Sequence, residues 1–194
     1  MSNDAVTPPT GEDETGDDEL VCQIRAARSA YRGRLLHVEE LEVELPNGKL
    51  VRHETVRHPG AVGIVALDER SRVLLVRQYR TPLARVTLEI PAGKIDAGEQ
   101  PEACARRELA EETGLSAREI SPMASLAIAA GYSDEILHLY RATGLVPCVG
   151  AEADEDEFVA TVWVALSELL AWVRSGRVQD SKTVIAALML AVPC

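Results

Sequence analysis

Residues 93–115 read GKIDAGEQPEACARRELAEETGL. The fixed points of this stretch are Gly93, then Glu99, the pair Arg107-Glu108, the pair Glu111-Glu112, and Gly114-Leu115. Pro101 suits the first turn of a helix, Ala103, Ala105, Leu109 and Ala110 can sustain it, and Gly114 stands where it should end. On such a helix Glu108 and Glu112 are four residues apart, and Glu111 is three from Glu108. All three carboxylates therefore project to one side. Like charges at this spacing cost about 0.2–0.5 kcal/mol per pair, so the arrangement calls for a compensating cation. A set of hard oxygen donors suits Mg²⁺ or Mn²⁺ better than zinc. Taken alone, three glutamates could equally be a solvated helix face. The flanking glycines, Glu99 and Arg107 favour a site.

Length and composition frame that helix within one domain. The 194 residues, 46% hydrophobic, can bury one substantial core. No apolar run approaches the ~20 residues of a membrane span, and no basic-then-apolar leader opens the chain. The four cysteines, Cys22, Cys104, Cys148 and Cys194, are scattered without a C-x-x-C pair, as expected of reduced thiols in a cytoplasm. Cys104 is expected to pack as a small apolar residue on the glutamate-bearing helix.

The net charge of −11 is unevenly spread. Residues 1–19 hold seven acidic residues and no Lys or Arg, leaving 24 acidic against 20 basic residues beyond them. With Pro8, Pro9, Gly11 and Gly16 among the acids, residues 1–19 read as a disordered acidic tail, either a solubilising extension or a partner-binding one. No basic patch of the kind that binds nucleic acid is present.

The rest alternates strands and helices. Residues 34–45 and 50–57 flank Pro46-Asn47-Gly48, a hairpin signal. Strands are expected at 61–67, 73–79 and 86–89 before the glutamate helix, then at about 123–129, 136–142 and 158–165. Ser167 can cap a helix running to Arg174 that stops at Gly176. A last helix, about Ser181 to Ala191, offers Val184, Ile185, Leu188 and Met189 as an apolar stripe.

The spacing from Gly93 to Leu115 matches, without gap or substitution, the box G-x5-E-x7-R-E-U-x-E-E-x-G-U of the Nudix hydrolases, where U is a large aliphatic residue. Seven positions demand one residue type each, and a chance match at a given start is on the order of one in a billion. From about Gly33 onward the chain resembles the ADP-ribose pyrophosphatase branch of that superfamily. The matching segments are VRHETVRHPGAVGIVAL, VLLVRQYR, LEIPAGKID, GYSDE, LHLYRATGL, DEDEFVATVWV and GRVQDSKTVIAALML. The resemblance implies an α+β chain with the Nudix fold, an α/β/α sandwich with a mixed central sheet, plus an N-terminal antiparallel strand extension. The implied organisation is residues 1–19 as tail, 20–57 as a strand region for dimerisation and the substrate pocket, and 58–194 as the hydrolase domain. Members of this branch are typically homodimers.

The resemblance also implies roles. Glu108, Glu112 and Glu111 would hold Mg²⁺, with Mn²⁺ as an alternative, together with the carbonyl of Ala92. Gly93 lets that backbone come close. Arg107 would orient the glutamates from behind, supported by Glu99. Arg77 and Arg80 of RQYR would grip the diphosphate, although a strand's solvent face is an equal reading of each. A loop glutamate would activate or position the attacking water. Glu157 fits first, then Glu155, then Glu152. Tyr132 and Glu135 are the substrate-binding candidates in the segment Ala130-Gly-Tyr-Ser-Asp-Glu135, where alanine replaces the proline usual in the branch; the rest of the segment is intact, so the loop should keep its course with less rigidity. Tyr31 is a further candidate for an adenine or sugar contact, whereas Trp163 and Trp172 are expected to pack.

The implied activity is Mg²⁺-dependent cleavage of a nucleoside diphosphate sugar, ADP-ribose to AMP and ribose 5-phosphate first. A UDP- or GDP-linked sugar is the alternative substrate. A non-catalytic nucleotide-sensing module is the alternative class, and the intact box carboxylates argue against it.

Overall fold

Ala61-Val62-Gly63-Ile64-Val65-Ala66 is apolar at every position, and all six residues are buried. A strand without a polar face needs cover on both sides, and the fold is organised around supplying it. The computed structural model describes residues 17–148 and 158–192. The chain divides into two units, Met1–Thr55 and Val56–Cys194.

The first unit holds a three-stranded sheet in the order β1 (Gln23–Arg32), β2 (His37–Glu44), β3 (Leu50–Arg57), the last strand running two residues past the unit boundary. The expected hairpin lies between β2 and β3. Gly48 N–H donates to the Leu45 carbonyl at 2.8 Å, Lys49 N–H donates to Asn47 Oδ1 at 3.0 Å, and Gly48 takes φ +79°. Strand β1 was not among the expected elements. Its sequence QIRAARSAYR lacks the dense β-branched content that marks a strand, and all ten residues are exposed. It pairs antiparallel with β2, and Arg25 and Arg28 meet Glu44 and Glu40 across the pair.

The second unit comprises β4 (Ala61–Ala66), β5 (Arg72–Arg80), β6 (Arg85–Glu89), β7 (Ala92–Lys94), α1 (Pro101–Thr113), β8 (Leu115–Ala127), β9 (Ile136–Pro147), β10 (Val159–Ala165), α2 (Leu166–Arg174) and α3 (Ser181–Ala191). One sheet has the order β7-β4-β9-β8 and is mixed, because β4 runs parallel to β9. The other, β10-β5-β6, is antiparallel. Side-chain alternation along β4 and β5 sorts the core into two layers. Val62, Ile64, Ala66 and Leu74 pack with Cys104, Ala105 and Leu109 of α1. Ala61, Val65, Val73 and Leu75 pack with Leu169 of α2 and Ala186 and Ala187 of α3. Helices thus cover both faces, the sandwich expected from the sequence.

Several boundaries differ from the expectation. Strand β8 starts at Leu115 rather than 123, and β9 runs on to Pro147, because the two form one long antiparallel ladder from Leu115↔Pro147 to Ala127↔Ile136. The polar run Ser116–Pro122 hides that pairing in the sequence. Ser167 does not cap α2: Ala165 occupies the cap position with no side-chain bond, and Ser167 lies inside the first turn. Gly176 does stand in the left-handed region just past the helix, at φ +74°. On α3 the fully buried residues are Thr183, Ala186 and Ala187. Val184, Ile185 and Met189 pack beside them and Leu188 is exposed. Small side chains let the helix approach the sheet closely.

Among the described residues no helix is long and apolar enough to cross a membrane. Cys22, Cys104 and Cys148 are free thiols. Leu109 is fully buried between α1 and the sheet, so Leu109→Ala should lower the unfolding free energy in urea by about 2–5 kcal/mol. A loss below about 1 kcal/mol, the usual surface value, would contradict this packing.

Candidate active site

Helix α1 begins where Pro101 takes the first-turn position and ends where Gly114, at φ +67°, donates its N–H to the Ala110 carbonyl at 2.8 Å. Between these limits the guanidinium of Arg107 gathers the acidic residues. Its Nε and Nη2 reach Glu99 Oε1 and Oε2 at 3.0 and 2.9 Å. Its Nη1 reaches Glu108 Oε1 at 2.7 Å and Glu111 Oε2 at 2.9 Å. Nη2 also donates to the Lys94 carbonyl and to Cys104 Sγ, at 3.2 and 3.3 Å. A charge-assisted fork of this kind is among the stronger side-chain contacts. The Glu99 bond is the main reason the Arg107 pKa lies above its ordinary value, despite some desolvation. Arg107 in turn holds Glu99 at about 2, well below the usual 4.5, and the Asp96 backbone N–H adds to this.

The turn Pro91-Ala92-Gly93 faces these carboxylates. The Ala92 N–H donates to Glu112 Oε2 at 3.1 Å. A Cβ on Gly93 would lie 1.9 Å from Glu108 Cδ and Oε1, a separation no side chain can adopt, so only glycine permits the approach. Glu108 and Glu111 thus share Arg107, Glu112 bonds the Ala92 N–H, and Gly93 lies against Glu108. Among the described residues no three acidic, His or Cys side chains form a ready-made metal cluster. Glu108 and Glu111 point to Arg107, while Glu112 points to the Ala92 N–H. The donor set nevertheless fits a hard divalent cation, since every donor is an oxygen and Gly93 leaves Glu108 room beside the turn. Cys104 is fully buried and its thiol donates to the Lys94 carbonyl at 3.3 Å. Burial pushes its pKa up to about 12, so it packs rather than reacts, as expected.

The arginines of RQYR separate. By alternation along β5, Arg80 lies on the face that carries Leu74, and Arg77 lies exposed on the other. Arg80 makes a fork to Glu89, with Nε to Oε1 at 2.8 Å and Nη2 to Oε2 at 2.7 Å. Glu89 is only 3% exposed. Burial pushes its pKa up, but Arg80, Lys182 and Thr87 outweigh that and hold it at about 2. Two residues before Arg80, Gln78 Oε1 is buried with no hydrogen-bond partner among the described residues.

Tyr132 and Glu135 lie in a loop that is firmly tied despite Ala130. Tyr132 and Ser133 N–H groups both donate to the Ala129 carbonyl at 2.9 Å. Val56 N–H donates to the Tyr132 carbonyl at 2.7 Å, and Ser133 Oγ donates to the Val56 carbonyl at 3.1 Å. Asp134 accepts from His58 N–H at 2.8 Å and from Arg57 at 3.0 Å. These bonds hold the loop on its course. Tyr132 is 62% exposed. Glu152, Glu155 and Glu157 lie outside the described residues. Trp163 and Trp172 pack against the two core layers, as expected, with Arg72 and Arg177 over their rings.

The NUDIX domain model matches residues 57–188. The chain belongs to the Nudix family. It is 44% identical over 161 residues to the methanol dehydrogenase activator of Bacillus methanolicus, covering 82% of this chain and 87% of that one. It is 41% identical over 162 residues to the ADP-ribose pyrophosphatase of Bacillus subtilis, covering 83% and 88%. A crystal structure of an ADP compounds hydrolase superposes with a TM-score of 0.79 at 27% identity, covering 88% of this chain and 92% of that one. The chain is a Nudix hydrolase of the ADP-ribose pyrophosphatase branch.

The sequence reading missed Glu89, Lys182, Asp180 and Thr183. Their signal was a carboxylate inside the apolar run Val86–Ile90 and an Asp-Ser-Lys-Thr helix start at 180–183. For Glu99, whose folded pKa lies below the ordinary one, the stabilising contribution is present above about pH 4.5 and is lost as pH falls toward 2. Glu99→Gln should therefore flatten the fall in denaturation midpoint between pH 4.5 and 2. An acid profile identical to that of wild type would refute the Arg107–Glu99 coupling.

Proposed function

We propose that this Nudix hydrolase cleaves the diphosphate of ADP-ribose, in a Mg²⁺-dependent reaction, to AMP and ribose 5-phosphate. The observation that carries the reading is Arg107 holding Glu99, Glu108 and Glu111 beside the Ala92-Gly93 turn, where Glu112 already bonds the backbone. The 41% identity to a relative named for ADP-ribose hydrolysis supports the substrate. Glu108, Glu111, Glu112 and the Ala92 carbonyl would hold the cation. When bound, it neutralises diphosphate charge and polarises the reacting phosphorus.

The chain's own residues would do the rest. Arg107 keeps Glu108 and Glu111 correctly turned. Arg80 presents a guanidinium to a phosphate oxygen, and Tyr132 and Glu135 contact the nucleotide or sugar. Glu157 positions and deprotonates the attacking water, with Glu155 and then Glu152 as alternatives. Water adds to one phosphorus, the P–O–P bond breaks, and each fragment leaves as a phosphate monoester. Arg77, exposed on the opposite face of β5 from Arg80, is the weaker of the two phosphate candidates. Two copies are expected to associate through residues 20–57, a reading supported by the apolar Ile24 and Tyr31 on the exposed strand β1. The free thiols fit a cytoplasmic enzyme.

The second reading is a different nucleotide sugar, supported by relatives at 29% and 31% identity that are named GDP-mannose pyrophosphatase. Monophosphate release from a panel of ADP-, UDP- and GDP-linked sugars separates the two, with ADP-ribose expected to give the highest kcat/KM. Cleavage of nucleoside triphosphates alone would overturn both. Glu112→Gln should cost orders of magnitude in kcat. Glu157→Gln should lower kcat strongly with little change in KM, and an unaltered kcat would move the base to Glu155 or Glu152.

A further inference from the structure

Glu89, at the end of β6, is filled by its partners. Oε1 accepts from Arg80 Nε at 2.8 Å and Thr87 Oγ1 at 2.5 Å, while Oε2 accepts from Arg80 Nη2 at 2.7 Å and from Lys182 Nζ. A carboxylate offers about four acceptor positions, so none is left for a ligand. Lys182 is also bonded to Asp180 Oδ1 at 2.9 Å, and its side chain is only 12% exposed. Asp180 caps α3, accepting from Thr183 N–H at 3.0 Å and from Thr183 Oγ1 at 2.6 Å. The Thr183 oxygen in turn accepts the Ile90 N–H at 2.8 Å, two residues before Ala92. Four charged side chains and two hydroxyls thus join β5, β6 and the start of α3.

Stability alone does not explain this cluster. Asp180 and Thr183 suffice to cap α3 and hold Ile90. Burying Glu89 and Lys182 beside them adds a desolvation cost that an apolar pair of similar volume would avoid. What the added pair does is fix Arg80. Glu89 takes Nε and one edge of the fork, and among the described residues Nη1 has no acceptor. The guanidinium remains part-exposed, its outer N–H groups available in one set orientation. Lys182 offsets the charge of Glu89, so Arg80 keeps its pull on an anion.

We propose that Glu89 and Lys182 are positioning residues that hold Arg80 as a preset clamp for a diphosphate oxygen. The inference rests on the diphosphatase reading above and goes beyond it by naming what aims the clamp. Holding a donor in place before the substrate arrives removes the ordering cost from binding.

The test uses the full chain with Glu89→Gln, Lys182→Met, Arg80→Lys and the double variant Glu89→Gln/Arg80→Lys. Lys182→Met keeps the aliphatic stem and removes only charge and donors, so it serves if Glu89→Gln folds poorly. Mg²⁺-dependent kinetics on ADP-ribose are paired with calorimetric titration of AMP and with thermal midpoints. Glu89→Gln and Lys182→Met should each lower kcat/KM by about 10- to 100-fold, the scale of one charge-assisted hydrogen bond. KM should take the larger share, and AMP binding should weaken in parallel. In the double-mutant cycle, Glu89→Gln should add little once Arg80 is lysine. Variants that lose thermal stability but keep KM and AMP affinity would overturn the inference, as would fully additive losses in the cycle. A wild-type chain that cleaves no nucleotide sugar would sink the functional reading itself, and this inference with it.

Discussion

Everything chemical in this fold depends on one guanidinium. Without Arg107, Glu108, Glu111 and Glu112 would crowd one helix face with like charges and spread toward solvent. Arg107 holds two of them and uses Glu99 as its own anchor. A single positive charge thus keeps an acidic face compact until a stronger cation can occupy it. Arg107 also bonds the Lys94 carbonyl, so the same group registers the helix against strand β7. Orientation of the carboxylates and placement of the turn that faces them are one event.

The part of the site that lies on α1 was legible because it is local. Spacings of three and four residues translate directly into a helix face, and Gly114 stops the helix where its sequence says it should. Gly93 was legible for a different reason: its absent side chain is a contact, with Glu108 in the space a Cβ would need. The apolar run of β4 and the Pro46-Asn47-Gly48 turn were equally readable, since burial on two faces and a left-handed glycine each leave a compositional mark. The α/β/α arrangement was implied by the family resemblance rather than by these elements.

What the sequence hid is what pairing across distance decides. Strand β1 is polar and exposed, and only its register against β2 makes it a strand. The first half of β8 is a strand because β9 continues beside it. Glu89 and Lys182 lie 93 residues apart in the chain, and no local periodicity connects them. Ser167 looked like a helix cap, but α2 begins one residue earlier, directly after strand β10, and needs no side chain at that corner. The loop around Ala130 is tied by hydrogen bonds to residues 56–58, a segment more than seventy residues away that no local reading of the loop reveals.

The two charge networks meet at a short piece of backbone, and their difference in burial explains the division of labour. The Arg107 cluster is partly exposed, so its bonds can be traded when a cation arrives. The Glu89 cluster is buried, where an unpaired charge would be costly, so its bonds should persist. Between them run Ile90, Pro91 and Ala92. Ile90 N–H is held by Thr183, the Pro91 carbonyl by Ile64 N–H, and Ala92 N–H by Glu112. The turn is therefore fixed from the core side by groups that do not exchange, and on the helix side by groups that can. The cation site proposed above would need both properties, a backbone donor that stays in place and carboxylates free to turn from an arginine to the ion.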